Sequence, residues 1–310
     1  MVKIAEEWLN SCSGCELAIL NLGEALLDLL PQLEFVHIPV LMDNKYFGPL
    51  GERKYLDIPE ATVGIVSGGV RNEEHLEVLE KMRARVDVLV ALGTCATAGG
   101  IPGLANLCGM QAVKDFTYRQ SPSTEPGPDP DPATGIPATL HECTPLDMHV
   151  RVDLRIPGCP PHPDWIAEAI LALLEGRPPI LPDRSVCDTC ATRRAGKPSV
   201  ATLQRMLAQP VNNPDKPIDY MQCLLEQGFM CLGPVTMGGC GGKSGAPRCI
   251  NGRTPCRGCY GPIRDHSLPF ADYTAILAAI GLPPQSMPDK AGYLSRFNSA
   301  QRILKKLEDA

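Results

Sequence analysis

The stretch Ala61 to Leu92, ATVGIVSGGVRNEEHLEVLEKMRARVDVLVAL, decides the fold of this 310-residue chain. It opens with an apolar run at Ala61–Val66 and closes with a second at Val86–Leu92, each of strand length and rich in Val, Ile or Leu. Between them Asn72-Glu73-Glu74 supplies a cap and first-turn acids for a helix through about Ala84. Strand, helix, strand is the repeating unit of a parallel sheet. Working outward, Phe35–Leu41 is another apolar run, and Val150–Ile156 alternates apolar with charged residues, as a half-exposed edge strand does. After Cys15, residues Leu17, Ile19, Leu20, Leu22, Leu26, Leu29 and Leu30 recur at helical spacing until Pro31. Asp164–Glu175 is expected to be a helix closed by Gly176. Residues 1–176 therefore read as an open, doubly wound α/β domain.

From Pro178 onward Gly and Pro are dense, strands are not evident, and eight cysteines lie between residues 187 and 259. A small, irregular core organised around metal accounts for residues 177–310, because bound metal supplies folding free energy that apolar burial there does not. Phe270–Ile280 and Ala291–Leu307 have helical patterns. Inside the first domain, Ser121–Pro137 is too rich in Pro, Asp and Ser to pack a core and reads as a surface loop or disordered insertion.

Composition narrows the function. Hydrophobic residues make up 44% and charged residues 21% of the chain, an ordinary globular balance. Net charge is −6, with only short basic doublets such as Arg193-Arg194 and Lys305-Lys306, so no nucleic-acid footprint is expected. No apolar stretch approaches the roughly 20 residues of a membrane span. The opening MVKIAEEWLNSCSGCE has no signal-peptide pattern, which points to the cytoplasm and to thiols that serve as ligands rather than disulfides. No G-x-G-x-x-G, P-loop or nucleophile elbow is present, and no flavin or nicotinamide site is read in the chain.

Twelve of the 14 cysteines fall into three groups of four, each holding one C-x-x-C pair. The first joins Cys12 and Cys15, at a helix start, with Cys95 in LGTCATAGG and Cys159 in IPGCPPHPD. Both single cysteines follow apolar runs, where an open α/β sheet places its ligands. The other eight are Cys187, Cys190, Cys223, Cys231, Cys240, Cys249, Cys256 and Cys259. Their spacing alone fits two zinc sites as well as two iron-sulfur clusters. Gly and Pro beside Cys231 and Cys259 favour clusters, which need close backbone approach. Cys108 and Cys143 remain as free thiols, expected to act as small buried hydrophobes. Glu16 sits in a helix first turn, where a carboxylate is favourable. His162 reads as a hydrogen-bonding turn residue.

Trp8-Leu9-x-x-Cys12-Ser13-Gly14-Cys15, Gly93-Thr-Cys-Ala96, Pro157-Gly-Cys-Pro-Pro161 and Pro255-Cys-x-Gly-Cys-Tyr-Gly-Pro262 together resemble the small subunit of nickel-iron hydrogenases. The resemblance implies a flavodoxin-like domain, residues 1–176, holding a proximal 4Fe-4S cluster on Cys12, Cys15, Cys95 and Cys159. It implies a second domain, residues 177–310, with a distal cluster on Cys187, Cys190, Cys223 and Cys231 and a medial one on Cys240, Cys249, Cys256 and Cys259. Cys187 stands where the periplasmic pattern has a histidine ligand, and Cys249 where it has a proline, so three all-cysteine 4Fe-4S clusters are expected. Gly14 and Gly100 occupy the positions of the two extra cysteines of the oxygen-tolerant class. The match is most like the cytoplasmic, viologen-reducing type associated with heterodisulfide reductase. It implies a large subunit carrying the nickel-iron centre, and a further iron-sulfur or flavin subunit that accepts the electrons. The alternatives are the cluster subunit of an NADH dehydrogenase-like complex, whose adjacent Cys-Cys pair does not occur here, and a zinc-stabilised scaffold.

Overall fold

Aliphatic runs buried on both faces make the central sheet, as parallel strands covered by helices require. Along the chain the strands are β1 (Val2–Trp8), β2 (Leu33–His37), β3 (Ala61–Ser67), β4 (Val70–Asn72), β5 (Val86–Leu92), β6 (Thr139–Thr144) and β7 (Leu154–Ile156). Five of them form one parallel sheet in the order β2-β1-β3-β5-β7, while β4 pairs antiparallel with β6. Counted by its own strands, the sheet has the order 2-1-3-4-5, which is the flavodoxin-like arrangement. The computed structural model describes residues 1–48, 50–125, 135–204, 213–264 and 267–298. Within them packing separates two units, Met1–Ile156 and Pro157–Asn298.

In the first unit the helices are α1 (Gly14–Leu20), α2 (Glu24–Leu29), α3 (Glu73–Arg85), α4 (Gly93–Ala98) and α5 (Met110–Asp115). Helix α3 begins where the Asn72 side chain accepts the His75 backbone N–H at 2.7 Å, and it buries Val78, Leu79 and Met82. Leu79, Met82, Leu89 and Val66 have no exposed surface; each such side chain stabilises the fold by about 1.5–3 kcal/mol relative to exposure. The helix expected from Cys15 to Pro31 is instead two, α1 and α2, parted at Asn21–Gly23, where Gly23 adopts φ +59°.

The second unit holds α6 (Pro163–Leu174), α7 (Arg248–Asn251), α8 (Pro269–Ile280) and α9 (Lys290–Leu294). No strand lies in it among the described residues; isolated bridges such as Ser185 to Met237 and Thr236 to Pro262 tie its loops. Its core combines Leu224, Met230, Leu277 and Leu282 with the thiols of Cys231 and Cys256. The division at Ile156 precedes the sequence boundary at 176, so α6 packs within the second unit: Trp165 Nε1 donates to the Gly239 carbonyl at 2.7 Å, and Asp164 accepts the Lys243 N–H at 2.8 Å. The helical pattern of Ala291–Leu307 continues beyond Asn298, and most of the Ser121–Pro137 loop, residues 126–134, likewise lies outside the described residues.

Candidate metal-cluster sites

The first unit delivers thiols from the carboxyl edge of its sheet. Cys12 and Cys15 follow β1, and Cys95 follows β5 within α4. Both strands run parallel in one sheet, so both exits lie on one edge, where open α/β sheets hold ligands. Cys12 is exposed, Cys15 buried, and Cys95 and Cys159 between these. Gly100 is held at φ +51°, and a Cβ there would stand 2.6 Å from Cys95 Sγ and 2.8 Å from its Cα. The backbone must approach Cys95 this closely, and a side chain at position 100 would displace it. Cys159 is in the second unit, inside the Pro157–Pro161 turn, where Gly158 adopts φ +139°.

The second unit gathers its eight thiols into two adjoining groups. Gly233 lies between two of them: a Cβ there would be 3.2 Å from Cys187 Sγ and 3.7 Å from Cys231 Sγ. The Cys187 thiol is pushed up by burial and next by Cys231; the Arg194 guanidinium opposes this, while Cys190 and Cys223 add to it. Cys231 is pushed up to about 12 by burial, offset by N–H groups of Gly233 and Cys256. The latter donates to Cys231 Sγ at 3.3 Å.

A cavity of about 210 Å³ is lined by Cys240, Cys249, Cys256 and Cys259, with Cys159 also on its wall. Cys259 is pushed up to about 12 by burial and then by Cys249, Cys240 and Cys159. Cys256 has Cys231 as its leading thiol neighbour, which places it where the two groups meet. Among the described residues no three Cys, His, Asp or Glu side chains converge as the ligands of a single ion do. These thiols line a volume instead.

The donor set fits iron-sulfur clusters on physical grounds. A buried thiolate without a counter-charge is costly, which is why burial pushes up the thiols of Cys187, Cys223, Cys231, Cys240, Cys256 and Cys259. Metal coordination replaces the thiol proton. Backbone N–H groups already aim at the sulfurs, from Gly233 and Cys256 to Cys231, from Glu226 and Leu225 to Cys223, from Gly258 to Cys256 and from Arg248 to Cys240. Such donors stabilise negative charge on cluster sulfur.

One of the remaining expectations changes. Cys143 is fully buried, with Asn10 Nδ2 3.8 Å from its sulfur, but Cys108 is exposed at the end of the turn Pro102–Leu107. Glu16 lies in the first turn of α1 as expected, and it is also buried, facing Glu6 of β1. Neither carboxylate has a donor partner. Glu6 is therefore pushed up to about 9, by burial first and then by the charges of Glu16 and Glu7; one shared proton would join the pair. On the adjacent residue, Glu7 takes a 2.6 Å contact from His37 Nε2 and accepts the Tyr46 hydroxyl at 2.8 Å. The sequence signal for this network was the Glu6-Glu7 doublet in an otherwise apolar segment. His162 is the turn residue expected: its Nδ1 accepts the Asp164 N–H at 3.2 Å, and its own N–H donates to the Tyr260 hydroxyl at 2.7 Å.

Comparison with known proteins extends this picture. Residues 12–173 match the family of the NADH ubiquinone oxidoreductase 20 kDa subunit. Over 305 residues the chain is 36% identical to a subunit of the F420-non-reducing hydrogenase vhu of Methanocaldococcus jannaschii, covering 98% of this chain and 96% of that one. It is 34% identical over 188 residues to the delta subunit of the NAD-reducing hydrogenase HoxS of Cupriavidus necator, covering 58% of this chain and 82% of that one. Among solved structures, a chain of an NAD+-reducing [NiFe]-hydrogenase in its H2-reduced state superposes with TM-score 0.51 at 30% identity, covering 58% of this chain and 95% of that chain. No helix among the described residues is long and apolar enough to cross a membrane.

Proposed function

The chain belongs to the family of the NADH ubiquinone oxidoreductase 20 kDa subunit and the small subunits of nickel-iron hydrogenases, and from that membership we propose that it relays electrons for dihydrogen chemistry performed on a partner chain. The observation that carries this reading is the pair of adjoining four-thiol groups in the second unit. The 20 kDa family match ends at residue 173, whereas the hydrogenase relative runs through the thiol-rich half as well. That difference favours the hydrogenase small subunit over an NADH dehydrogenase-like subunit.

In this reading Cys12, Cys15, Cys95 and Cys159 hold a proximal 4Fe-4S cluster. Cys240, Cys249, Cys256 and Cys259 hold a medial one, and Cys187, Cys190, Cys223 and Cys231 a distal one. Bound clusters of this kind store and pass single electrons without bond rearrangement. The chain's own residues do the rest. They fix the thiolates, aim N–H groups at them, and exclude water from Cys231 and Cys256, which are 6% and 5% exposed. The Cys256 N–H that donates to Cys231 Sγ joins the medial and distal groups directly.

The large subunit bearing the nickel-iron centre is the first partner, and a further iron-sulfur or flavin subunit receives the electrons. The cytoplasm is the location this reading proposes, where thiols serve as metal ligands rather than disulfides. The reading is tested with the co-purified complex carrying Cys12→Ala. Dihydrogen-dependent viologen reduction should fall at least a hundredfold while the chain still folds; full activity in that variant would refute the relay.

A further inference from the structure

Tyr273 is a polar side chain that the second unit buries without giving it a protein partner. It lies on α8, has no exposed surface, and its hydroxyl makes no hydrogen bond. Leaving a buried hydroxyl unpaired forfeits its hydration with nothing in return, so the position calls for an acceptor. Phenylalanine would fill the same space without that cost.

The surroundings show where an acceptor belongs. Helix α8 packs against the turn Gly233–Val235, which directly follows Cys231 and brings Gly233 beside both Cys187 and Cys231. Tyr273 shares one core with Cys231, Val186, Met230 and Leu277. That core is largely aliphatic, with Leu224, Met230, Leu277 and Leu282 in it, and offers a lone water few partners. The charged or ionisable groups that act on the hydroxyl are the Cys231, Cys187 and Cys223 thiols and the neighbouring Tyr293. The unpaired donor thus lies in the core that holds Cys231, on the helix packed against the turn that Cys231 leads into.

We propose that Tyr273 is a positioning residue that donates its hydroxyl hydrogen bond to sulfur of the group held by Cys187, Cys190, Cys223 and Cys231, and so raises the potential of that group. This rests on the cluster reading given above. A phenol carries one O–H donor, and here that donor has no protein acceptor. A donor aimed at cluster sulfur favours the more negative, reduced state over the oxidised one. The tyrosine therefore makes the last group of the relay a better electron acceptor from the medial one.

The test is Tyr273→Phe in the complete complex, followed by redox titration of the paramagnetic signal that Cys223→Ala removes. With iron and sulfide content unchanged, the ratio of reduced to oxidised distal group at a fixed ambient potential should fall about tenfold, a shift of about 59 mV for one electron. An intact cluster with an unmoved potential overturns the role of Tyr273 and leaves the cluster reading standing. Absence of iron and sulfide from the unmodified complex overturns both. Should the phenylalanine variant lose its cluster, 3-fluorotyrosine at position 273 keeps the shape and provides a more acidic hydroxyl. It should move the ratio upward, and no movement, or movement in the other direction, overturns the proposal.

Discussion

The two units solve the same problem with opposite means. In Met1–Ile156 the sheet is the frame and the cysteines are its fittings: Leu79, Met82 and Leu89 fill the core, while Cys12 stands exposed at the carboxyl edge. In Pro157–Asn298 the thiols are themselves core residues, with Cys231 and Cys256 packed among Leu224, Met230 and Leu277. A strand ladder can position ligands that contribute little to folding. Where no strand is present among the described residues, the ligands must organise the core, and folding then depends on what they bind.

The largest expected effect tests that contrast directly. Removing iron by chelation should leave the amides of β3 and β5 protected from hydrogen exchange, while protection across Ile218–Tyr260 is lost. Equal loss, or equal retention, in both units would erase the distinction. Next in size, Leu79→Ala should destabilise the first unit by about 2–5 kcal/mol in denaturant unfolding, through a cavity at a fully buried site. The electron-paramagnetic signals of the second-unit groups should be unaffected.

A third test uses pH and sharpens the account of the first unit. Glu6 is raised from 4.5 to about 9 in the folded chain, so the folded state keeps a proton that the unfolded chain releases. Its contribution therefore favours folding least at high pH: stability should decline as pH rises from about 4.5 toward about 9. Glu6→Gln should remove that decline, as read from unfolding midpoints at several pH values. A parallel slope in the variant would assign it to other groups. The smallest effect belongs to Asn72→Ala, which deletes the side chain capping α3 and should cost about 1 kcal/mol in the first unit alone.

Legibility differs between the units for the same physical reason. The strands β3 and β5 were readable because their Val, Ile and Leu residues are buried on both faces, and α3 was readable from the Asn72 cap. Strand β1 was not, because Glu6 and Glu7 interrupt its apolar run; only in three dimensions do Glu16, His37 and Tyr46 appear beside them. Strand β6, TLHECT, lacks the alternation that marks a half-buried strand. In the second unit, order along the chain was enough to name the eight thiols. Their division into two groups of four was implied by the family resemblance; that Cys231 lies beside Cys256 came from the fold, since nothing in the spacing places them together. Tyr273 left no sequence signal at all, because an unpartnered hydroxyl is a property of packing.

The central claim is that twelve thiols hold three iron-sulfur clusters in series. Iron and acid-labile sulfide, measured per chain in the protein co-purified with its partners and read alongside low-temperature electron paramagnetic resonance after dithionite reduction, test it most directly. The account predicts about twelve irons with matching sulfide, as three all-cysteine cubanes require, and three interacting paramagnets. Zinc without sulfide, or about four irons confined to one cluster, would contradict it.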